Sequence, residues 1–136
     1  MKLDDCINLD DLRKVAKQRV PKLIYDFIEG GSEDESGLVR NEDAFRNRAL
    51  VPRYMVDISS INQDTELFGR TYSSAYGIAP TGGISNYRHK GDLMLARAAR
   101  DANIPFIMSG AATARMEDMA REAPDHGWYQ LYTAKD

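Results

Sequence analysis

Apolar residues recur every three to four positions in the first 30 residues, which predicts two short amphipathic helices. The apolar stripe of the first helix, over residues 9–20, consists of Leu9, Leu12, Val15 and Ala16. Asn8 or Asp10 is available as its N-cap. Pro21 ends this helix and suits the first turn of the second. The glycines at positions 30 and 31 then predict the end of the second helix.

The pattern of the next 45 residues predicts a third helix, an irregular connection and a β-hairpin. The third helix runs from Ser32 to about residue 48, with the Ser32 hydroxyl as its cap and the acids at 33–35 at the positive end of its dipole. Residues 50–61 have no clear periodicity. Two short strands then flank Gly69 and Arg70, a pair typical of the two-residue loop of a hairpin.

The second half of the chain changes to short, mostly apolar runs separated by helical patterns. The runs are residues 76–80, 105–109 and 128–132. Apolar residues at helical spacing occupy both gaps, near 93–102 and 116–120. The order strand, helix, strand, helix, strand predicts an α/β fold with buried parallel strands. Because three such strands leave an open sheet edge, we expect the chain to be a fragment of a larger β/α series.

Composition narrows the class of protein without identifying it. The 136 residues are 43% hydrophobic and 29% charged, as in an ordinary folded domain. A net charge of −3 argues against a nucleic-acid partner. The single cysteine, Cys6, excludes an internal disulfide and a cysteine-based zinc site, and makes the cytoplasm the default location. The acids at 33–35 have no metal-binding geometry, so no metal is predicted, and no apolar run approaches the roughly 20 residues of a membrane span.

Small and polar residues follow each of the three apolar runs. They are Pro80, Thr81, Gly82 and Gly83 after the first, Ser109 and Gly110 after the second, and Gln130 and Tyr132 within the third. In a (β/α) barrel the carboxyl ends of the strands form the active site. Gln130 and Tyr132, two positions apart on a strand, would face the same side. The set suits a planar polar ligand better than a phosphate. Taken alone, Thr81 with its two glycines is more typical of an ordinary turn, and Ser109 is more typical of a strand-end cap.

Five segments, in this order and at this spacing, resemble the FMN-dependent α-hydroxy-acid dehydrogenase and oxidase family, which includes glycolate oxidase, L-lactate dehydrogenase and (S)-mandelate dehydrogenase. The segments are residues 21–35, 40–45, 79–82, 91–99 and 128–132. The resemblance implies a (β/α)8 TIM barrel. Residues 1–136 would be the N-terminal part of that single domain, with its N-terminal helices, a β-hairpin and roughly the first three β/α units.

The resemblance also implies a reaction: oxidation of an L-2-hydroxy acid to a 2-oxo acid, with transfer of the α-hydrogen to FMN. The implied FMN-binding residues are Ala79, Pro80, Thr81, Gly82, Ser109 and Gln130. Tyr132 corresponds to the catalytic tyrosine of the family, which contacts the hydroxyl oxygen of the substrate. A phenol can donate to an oxygen that gains negative charge. A homotetramer is implied, and any membrane association would use segments outside this chain. The electron acceptor stays open among oxygen, a quinone and a protein.

Two departures from the family pattern leave alternatives open. Phe27 stands where the family commonly has a substrate-binding tyrosine, and Tyr25 lies on nearly the opposite helix face. Phe27 is therefore either a substrate-binding position with altered specificity or a helix core residue. The base and phosphate site of the family lie in later strands, and His89 and His126 are expected to be surface residues. The alternatives are an FMN barrel that oxidises an amine or a peptide-derived substrate, and a catalytically incomplete fragment.

Overall fold

The computed structural model describes residues 2–133. The chain forms two compact units, Met1–Asp57 and Ile58–Asp136. The first contains helices only, and the second contains all four strands of the described part of the chain.

The first unit contains helices α1 (Leu9–Arg19), α2 (Lys22–Glu29) and α3 (Ser36–Arg46). Asn8 caps α1, since its Oδ1 accepts a hydrogen bond from the Asp11 backbone N–H at 2.8 Å. Pro21 separates α1 from α2, as the sequence predicts. Val15 on the apolar stripe of α1 is 4% exposed.

The start of α3 differs from the prediction. The Glu35 N–H donates to the Ser32 carbonyl at 3.0 Å, which forms a turn ahead of the helix, and Glu35 itself is left-handed with a φ of 59°. The Ser36 N–H instead donates to Asp34 Oδ1 at 3.2 Å. Hydrogen bonds from Ser36 lower the pKa of Asp34. The prediction that the Ser32 hydroxyl caps a helix beginning there is therefore wrong.

The second unit opens with a β-hairpin of strands β1 (Thr65–Leu67) and β2 (Arg70–Tyr72). Leu67 pairs with Arg70, so the loop is Phe68-Gly69 and not the predicted Gly69-Arg70. Both loop residues have positive φ, 50° and 77°, which is the conformation of a type I′ turn. Gly69, at the second loop position, adopts a positive φ without steric cost. Arg70 therefore follows the loop as the first residue of β2.

The rest of the second unit is a parallel β/α arrangement. Strands β3 (Phe106–Met108) and β4 (Gly127–Tyr129) pair in parallel, and Ile78 adds an isolated parallel bridge to Phe106. Helices α4 (Gly91–Asp101) and α5 (Met116–Glu122) occupy the two connections. The predicted order is therefore confirmed. The first predicted strand is reduced to a single bridge, and the third ends at Tyr129, which pairs with Met108, the last residue of β3.

The core of the second unit lies between α4, β3 and α5. It consists of Ala96, Ala99, Phe106, Met108, Met119 and Ala123. The two alanines of α4 are 0% exposed, and their small side chains allow the helix to lie close to the sheet. Burial of Phe106, which is 2% exposed, contributes about 1.5–3 kcal/mol. This packing holds the strands whose carboxyl ends carry the polar residues.

Candidate active site at the strand ends

A side-chain hydrogen bond joins the ends of β3 and β4. Ser109, which is 5% exposed, donates from Oγ to Gln130 Oε1 at 3.2 Å, and the Gly110 N–H approaches the same oxygen at 3.4 Å. The Ala111 N–H donates back to Ser109 Oγ at 3.1 Å. Both donors approach the oxygen of the Gln130 amide and so fix its orientation. The NH2 group of the amide makes no hydrogen bond with Ser109 or Gly110 and can donate to a ligand.

The segment after the Ile78 bridge reaches the same edge of the sheet. The Gly83 N–H donates to the Ala111 carbonyl at 3.2 Å. A Cβ on Gly82 would lie 3.1 Å from the Ala111 Cβ and 3.7 Å from Ser109 Oγ. Thr81 is exposed, and its Oγ1 lies 3.5 Å from the Ala79 carbonyl oxygen. The loop of residues 79–82, which includes Pro80, is thus held beside the end of β3.

Tyr132 lies beyond the end of β4. The Gln130 N–H donates to the Met108 carbonyl at 2.9 Å, which extends the pairing by one bond past Tyr129. The prediction of a strand that continues through Tyr132 is wrong. The argument that Gln130 and Tyr132 face the same side of a strand therefore does not apply. The Tyr132 ring instead lies over the backbone of Gly110, and the residue is 68% exposed. Both residues nevertheless lie at the edge that carries Ser109.

Phe27 lies on α2 of the first unit and is 78% exposed. Its interpretation as a helix core residue is therefore wrong for the described structure. Tyr25 on the same helix does not take its place, because its hydroxyl interacts with Glu29. Burial, followed by the charge of Glu29 and a hydrogen bond to it, raises the pKa of Tyr25.

Sequence reasoning missed the burial of His126. This residue immediately precedes β4 and is only 7% exposed, so the surface prediction is wrong, whereas His89 is exposed as predicted. His126 Nδ1 lies 2.9 Å from the Pro124 carbonyl, and Arg70 Nη2 lies 3.1 Å from Nε2. Arginine can only donate and a carbonyl can only accept, so these two contacts fit the tautomer that carries its proton on Nδ1. Asn103 Oδ1 also lies 3.2 Å from Nε2. His126 lies at the amino end of β4, opposite the end that carries Gln130, and so it is not a base for this site.

Asp92 is a second buried polar residue; it belongs to the segment 91–99 that carries the family resemblance, but no pattern in the sequence indicated its burial. It lies in the first turn of α4 and is 1% exposed. The position suits an anion because helix N-termini stabilise negative charge. The Thr113 hydroxyl donates to Asp92 Oδ2 at 3.3 Å and also bonds to Ser85 Oγ. Asp92 and Thr113 thereby join the loop after β3 to the segment that follows Gly82.

The residues at the three strand ends fit a flat polar ring. None of the residues at 79–82, 109–111 and 130–132 carries a positive charge, so they offer no ion pair to a phosphate. They offer the amide of Gln130, the buried hydroxyl of Ser109 and the backbone of Gly82, which carries no side chain. A planar heterocycle with donors and acceptors along its edge matches this set, as the isoalloxazine of FMN does.

The sequence of this chain matches the family model of the FMN-dependent dehydrogenases over residues 16–136. The chain belongs to this family. Its members depend on FMN. This agrees with the cofactor that the resemblance implied and with a site that suits a flat polar ring.

Relatives named for hydroxy-acid chemistry match almost the whole chain. It is 42% identical to the (S)-mandelate dehydrogenase of Pseudomonas putida over 125 residues, which cover 92% of this chain and 32% of that protein. It is 35% identical to the 2-hydroxyacid oxidase of Dictyostelium discoideum over 136 residues, which cover 99% of this chain and 35% of that protein. The chain thus spans about a third of the length of the curated relatives it matches.

Solved structures support the same fold. A soluble mutant of the membrane-associated (S)-mandelate dehydrogenase from Pseudomonas putida superposes with a TM-score of 0.88 at 41% identity, over 96% of this chain and 38% of that one. A mandelate oxidase gives a TM-score of 0.88 at 31% identity, over 96% of this chain and 38% of that one. These enzymes are TIM barrels. The prediction of an α/β fold that corresponds to part of such a barrel is confirmed.

Proposed function

We propose that residues 1–136 are the N-terminal part of a single-domain FMN-dependent enzyme that oxidises an L-2-hydroxy acid to a 2-oxo acid. The observation that carries the proposal is the convergence of Gly82, Ser109, Gln130 and Tyr132 at the ends of consecutive parallel segments. The names of relatives support the substrate class, since they include mandelate dehydrogenase, 2-hydroxyacid oxidase and a putative L-lactate dehydrogenase.

In this proposal the strand ends hold the flavin ring. The backbone of Ala79, Pro80 and Gly82, together with Thr81, would hold the ring from the first strand end, and Ser109 and Gln130 would supply hydrogen bonds to it. The Ser109 hydroxyl orients the Gln130 amide, so the ring meets donors that are already in place. FMN, when bound, accepts the two electrons and the α-hydrogen that leave the substrate.

Tyr132 acts on the substrate and not on the flavin. Its phenol donates a hydrogen bond to the hydroxyl oxygen of the substrate, which gains negative charge as the hydroxyl proton leaves for a base. The hydroxyl proton must pass to a base, and His126 is unsuited because it is buried at the amino end of β4. Phe27 contributes an apolar contact in place of a hydroxyl donor for the substrate carboxylate.

The direct test is a spectrum of the full-length protein that carries this chain. We expect purified protein to show the visible absorption of oxidised flavin, and anaerobic addition of L-lactate, glycolate or (S)-mandelate to bleach it. A folded protein without flavin would contradict the cofactor assignment. A bound flavin that none of the three acids reduces would contradict the substrate class.

Phe27 favours a second candidate function, an FMN barrel that oxidises an amine or a peptide-derived substrate. Its exposed ring carries no hydroxyl with which to bind a carboxylate. Anaerobic bleaching by a panel of amines, with no response to the hydroxy acids, would establish this function. The third candidate is a catalytically incomplete fragment, for which residues 1–136 alone bind no FMN even when they are folded.

Location, assembly and electron acceptor are part of the same proposal. None of the helices within residues 2–133 has the length and hydropathy of a membrane span. We place the protein in the cytoplasm as a homotetramer, with any membrane association carried by segments outside this chain. Cell fractionation and light scattering of the full-length protein test both statements. Reoxidation of the reduced flavin by oxygen, a quinone or a protein is distinguished by adding each one separately.

A further inference from the structure

Gly110 and the Tyr132 ring are in unusually close contact. A Cβ built on Gly110 would lie 2.5 Å from Tyr132 Cδ2 and 2.9 Å from Tyr132 Cε2. Carbon atoms in favourable contact lie about 3.5–4.0 Å apart. The ring therefore occupies the space that a side chain at position 110 would need.

Backbone conformation does not explain this glycine. Among residues 2–133, the glycines with positive φ are Gly69 and Gly83, so Gly110 adopts a backbone conformation that other residues share. Its Cβ would also lie 2.9 Å from the Gln130 carbonyl oxygen. What position 110 requires is the absence of a side chain, because the chain around Gln130 and Tyr132 passes too close.

We propose that Gly110 is a positioning residue for Tyr132: by lacking a side chain, it lets the tyrosine ring lie on the backbone after β3 and so sets where the phenol meets the substrate. This inference rests on the proposed function, in which the Tyr132 hydroxyl donates to the substrate. The contact itself belongs to the described structure and can be tested without catalysis.

The expected effect follows from the geometry. In Gly110→Ala the new methyl group must displace the ring by about 1 Å to reach ordinary contact distance, and the hydroxyl moves with the ring. Misplacement of about 1 Å in an active site can cost about 100-fold in rate. The Gly110 N–H that approaches Gln130 Oε1 remains present in the variant, so flavin binding should change less than the rate of flavin reduction.

The structural arm of the test is a crystal structure of full-length Gly110→Ala beside that of the unchanged protein. We expect Tyr132 Oη to shift by about 1 Å or more relative to Ser109. An unmoved hydroxyl would overturn the inference, whatever reaction the enzyme catalyses. The control is Gly37→Ala, whose Cβ would meet nothing within 4 Å.

The kinetic arm is a double-mutant cycle on the rate of anaerobic flavin reduction. We expect Gly110→Ala to slow reduction about 10–100-fold, but to cost less than about threefold in the Tyr132→Phe background, since the hydroxyl it misplaces is already absent. Equal costs in both backgrounds would show that Gly110 does not act through the phenol. If no hydroxy acid reduces the flavin of the unchanged protein, the proposed function is contradicted. The crystallographic comparison then decides the inference.

A folding defect would not end the test. If Gly110→Ala does not accumulate as folded protein, removal of the ring with Tyr132→Ala should restore folding, because the shortest contact, 2.5 Å to Tyr132 Cδ2, is then gone and only the 2.9 Å approach to the Gln130 carbonyl oxygen remains. If folding is not restored, the constraint at position 110 comes from the Gln130 carbonyl alone and the inference is wrong.

Discussion

Ser109 Oγ lies 3.2 Å from Gln130 Oε1, and this bond ties the end of β3 to the end of β4. Ser109 also accepts from the Ala111 N–H. One buried hydroxyl therefore organises both a loop and a side-chain amide at the edge where the flavin ring is proposed to bind. Ser109 therefore orients Gln130 in addition to its own proposed hydrogen bond to the flavin.

Substitution of Ser109 tests this support. In Ser109→Ala the Ala111 N–H loses its acceptor and the Gln130 oxygen loses one of its donors. We expect about 5–30-fold weaker FMN binding, since an unsatisfied buried group costs about 1–2 kcal/mol, measured by quenching of FMN fluorescence with the full-length apoprotein. Ser73→Ala is the control, because it too removes one side-chain hydrogen bond, that from Asn103 Nδ2, but away from the strand ends. Equal affinity in Ser109→Ala and unchanged protein would argue against the assignment.

Tyr132→Phe separates substrate chemistry from flavin binding. The variant keeps the ring over Gly110 and loses only the phenolic donor. We expect kcat for the hydroxy acid to fall about 100-fold, the usual cost of removing one donor to a developing negative charge, with FMN affinity unchanged. Stopped-flow reduction under anaerobic conditions measures the step. Tyr129→Phe, on β4, is the matched control, and a kcat that survives in Tyr132→Phe would remove Tyr132 from the catalytic residues.

Phe27→Tyr tests whether this position faces the substrate. A hydroxyl added there could donate to the carboxylate of a 2-hydroxy acid, and a hydrogen bond to a charged group contributes about 1.5–3 kcal/mol. We expect KM for simple hydroxy acids to fall about tenfold or more. Phe45→Tyr, on exposed α3, should leave KM unchanged. The same KM in both variants would show that Phe27 is not a substrate-binding residue.

The hydrophobic pattern predicted elements and their order better than their ends. Helical spacing is repeated over several turns, so the prediction of α1, α2 and α4 does not depend on any single residue. The start of α3 depends on one turn, in which Asp34 accepts the capping hydrogen bond that was predicted for Ser32. The hairpin loop moved by one residue because positive φ at Phe68 leaves no mark in the sequence. The extent of strand pairing depends on long-range contacts that a local pattern does not contain, so the pattern did not show that residues 76–80 pair at Ile78 only.

The candidate site was predictable because carboxyl ends of parallel strands meet at one edge of a sheet. That rule brought Gly82, Ser109 and Gln130 together. It carries no information on side-chain burial, and so it missed His126, whose environment depends on Arg70, 56 positions away in the sequence. Contacts over such separations arise from the fold and not from any local pattern.

His126→Ala tests the buried histidine. Without the imidazole, Arg70 Nη2 loses an acceptor and the Pro124 carbonyl loses a donor. We expect the free energy of unfolding to fall by about 1–3 kcal/mol, measured by urea denaturation of the full-length protein. His89→Ala, at an exposed position, should change it by no more than about 0.5 kcal/mol. Equal stability of the two variants would show that the contacts of His126 contribute nothing.

The ion pair of Arg97 and Glu122 makes stability depend on acid pH. Arg97 donates through Nε and Nη2 to the two carboxylate oxygens and joins α4 to α5. Its hydrogen bonds, more than its charge, lower the pKa of Glu122 below the ordinary 4.5. A carboxyl whose pKa is lower in the folded state stabilises the fold above its unfolded pKa and loses that contribution as the pH falls through the folded value.

Glu122→Gln should therefore lower the urea midpoint above about pH 5, and the difference from the unchanged protein should shrink as the pH falls below 4.5 toward the lowered pKa. High salt should weaken the effect, because both side chains are partly exposed. Glu117→Gln on the same helix provides the comparison, because it makes the same change of carboxylate to amide away from Arg97. A constant difference between Glu122→Gln and the unchanged protein across the pH range would mean that the lost contact is packing or hydrogen bonding by an uncharged group, since only a titrating carboxylate produces convergence in acid.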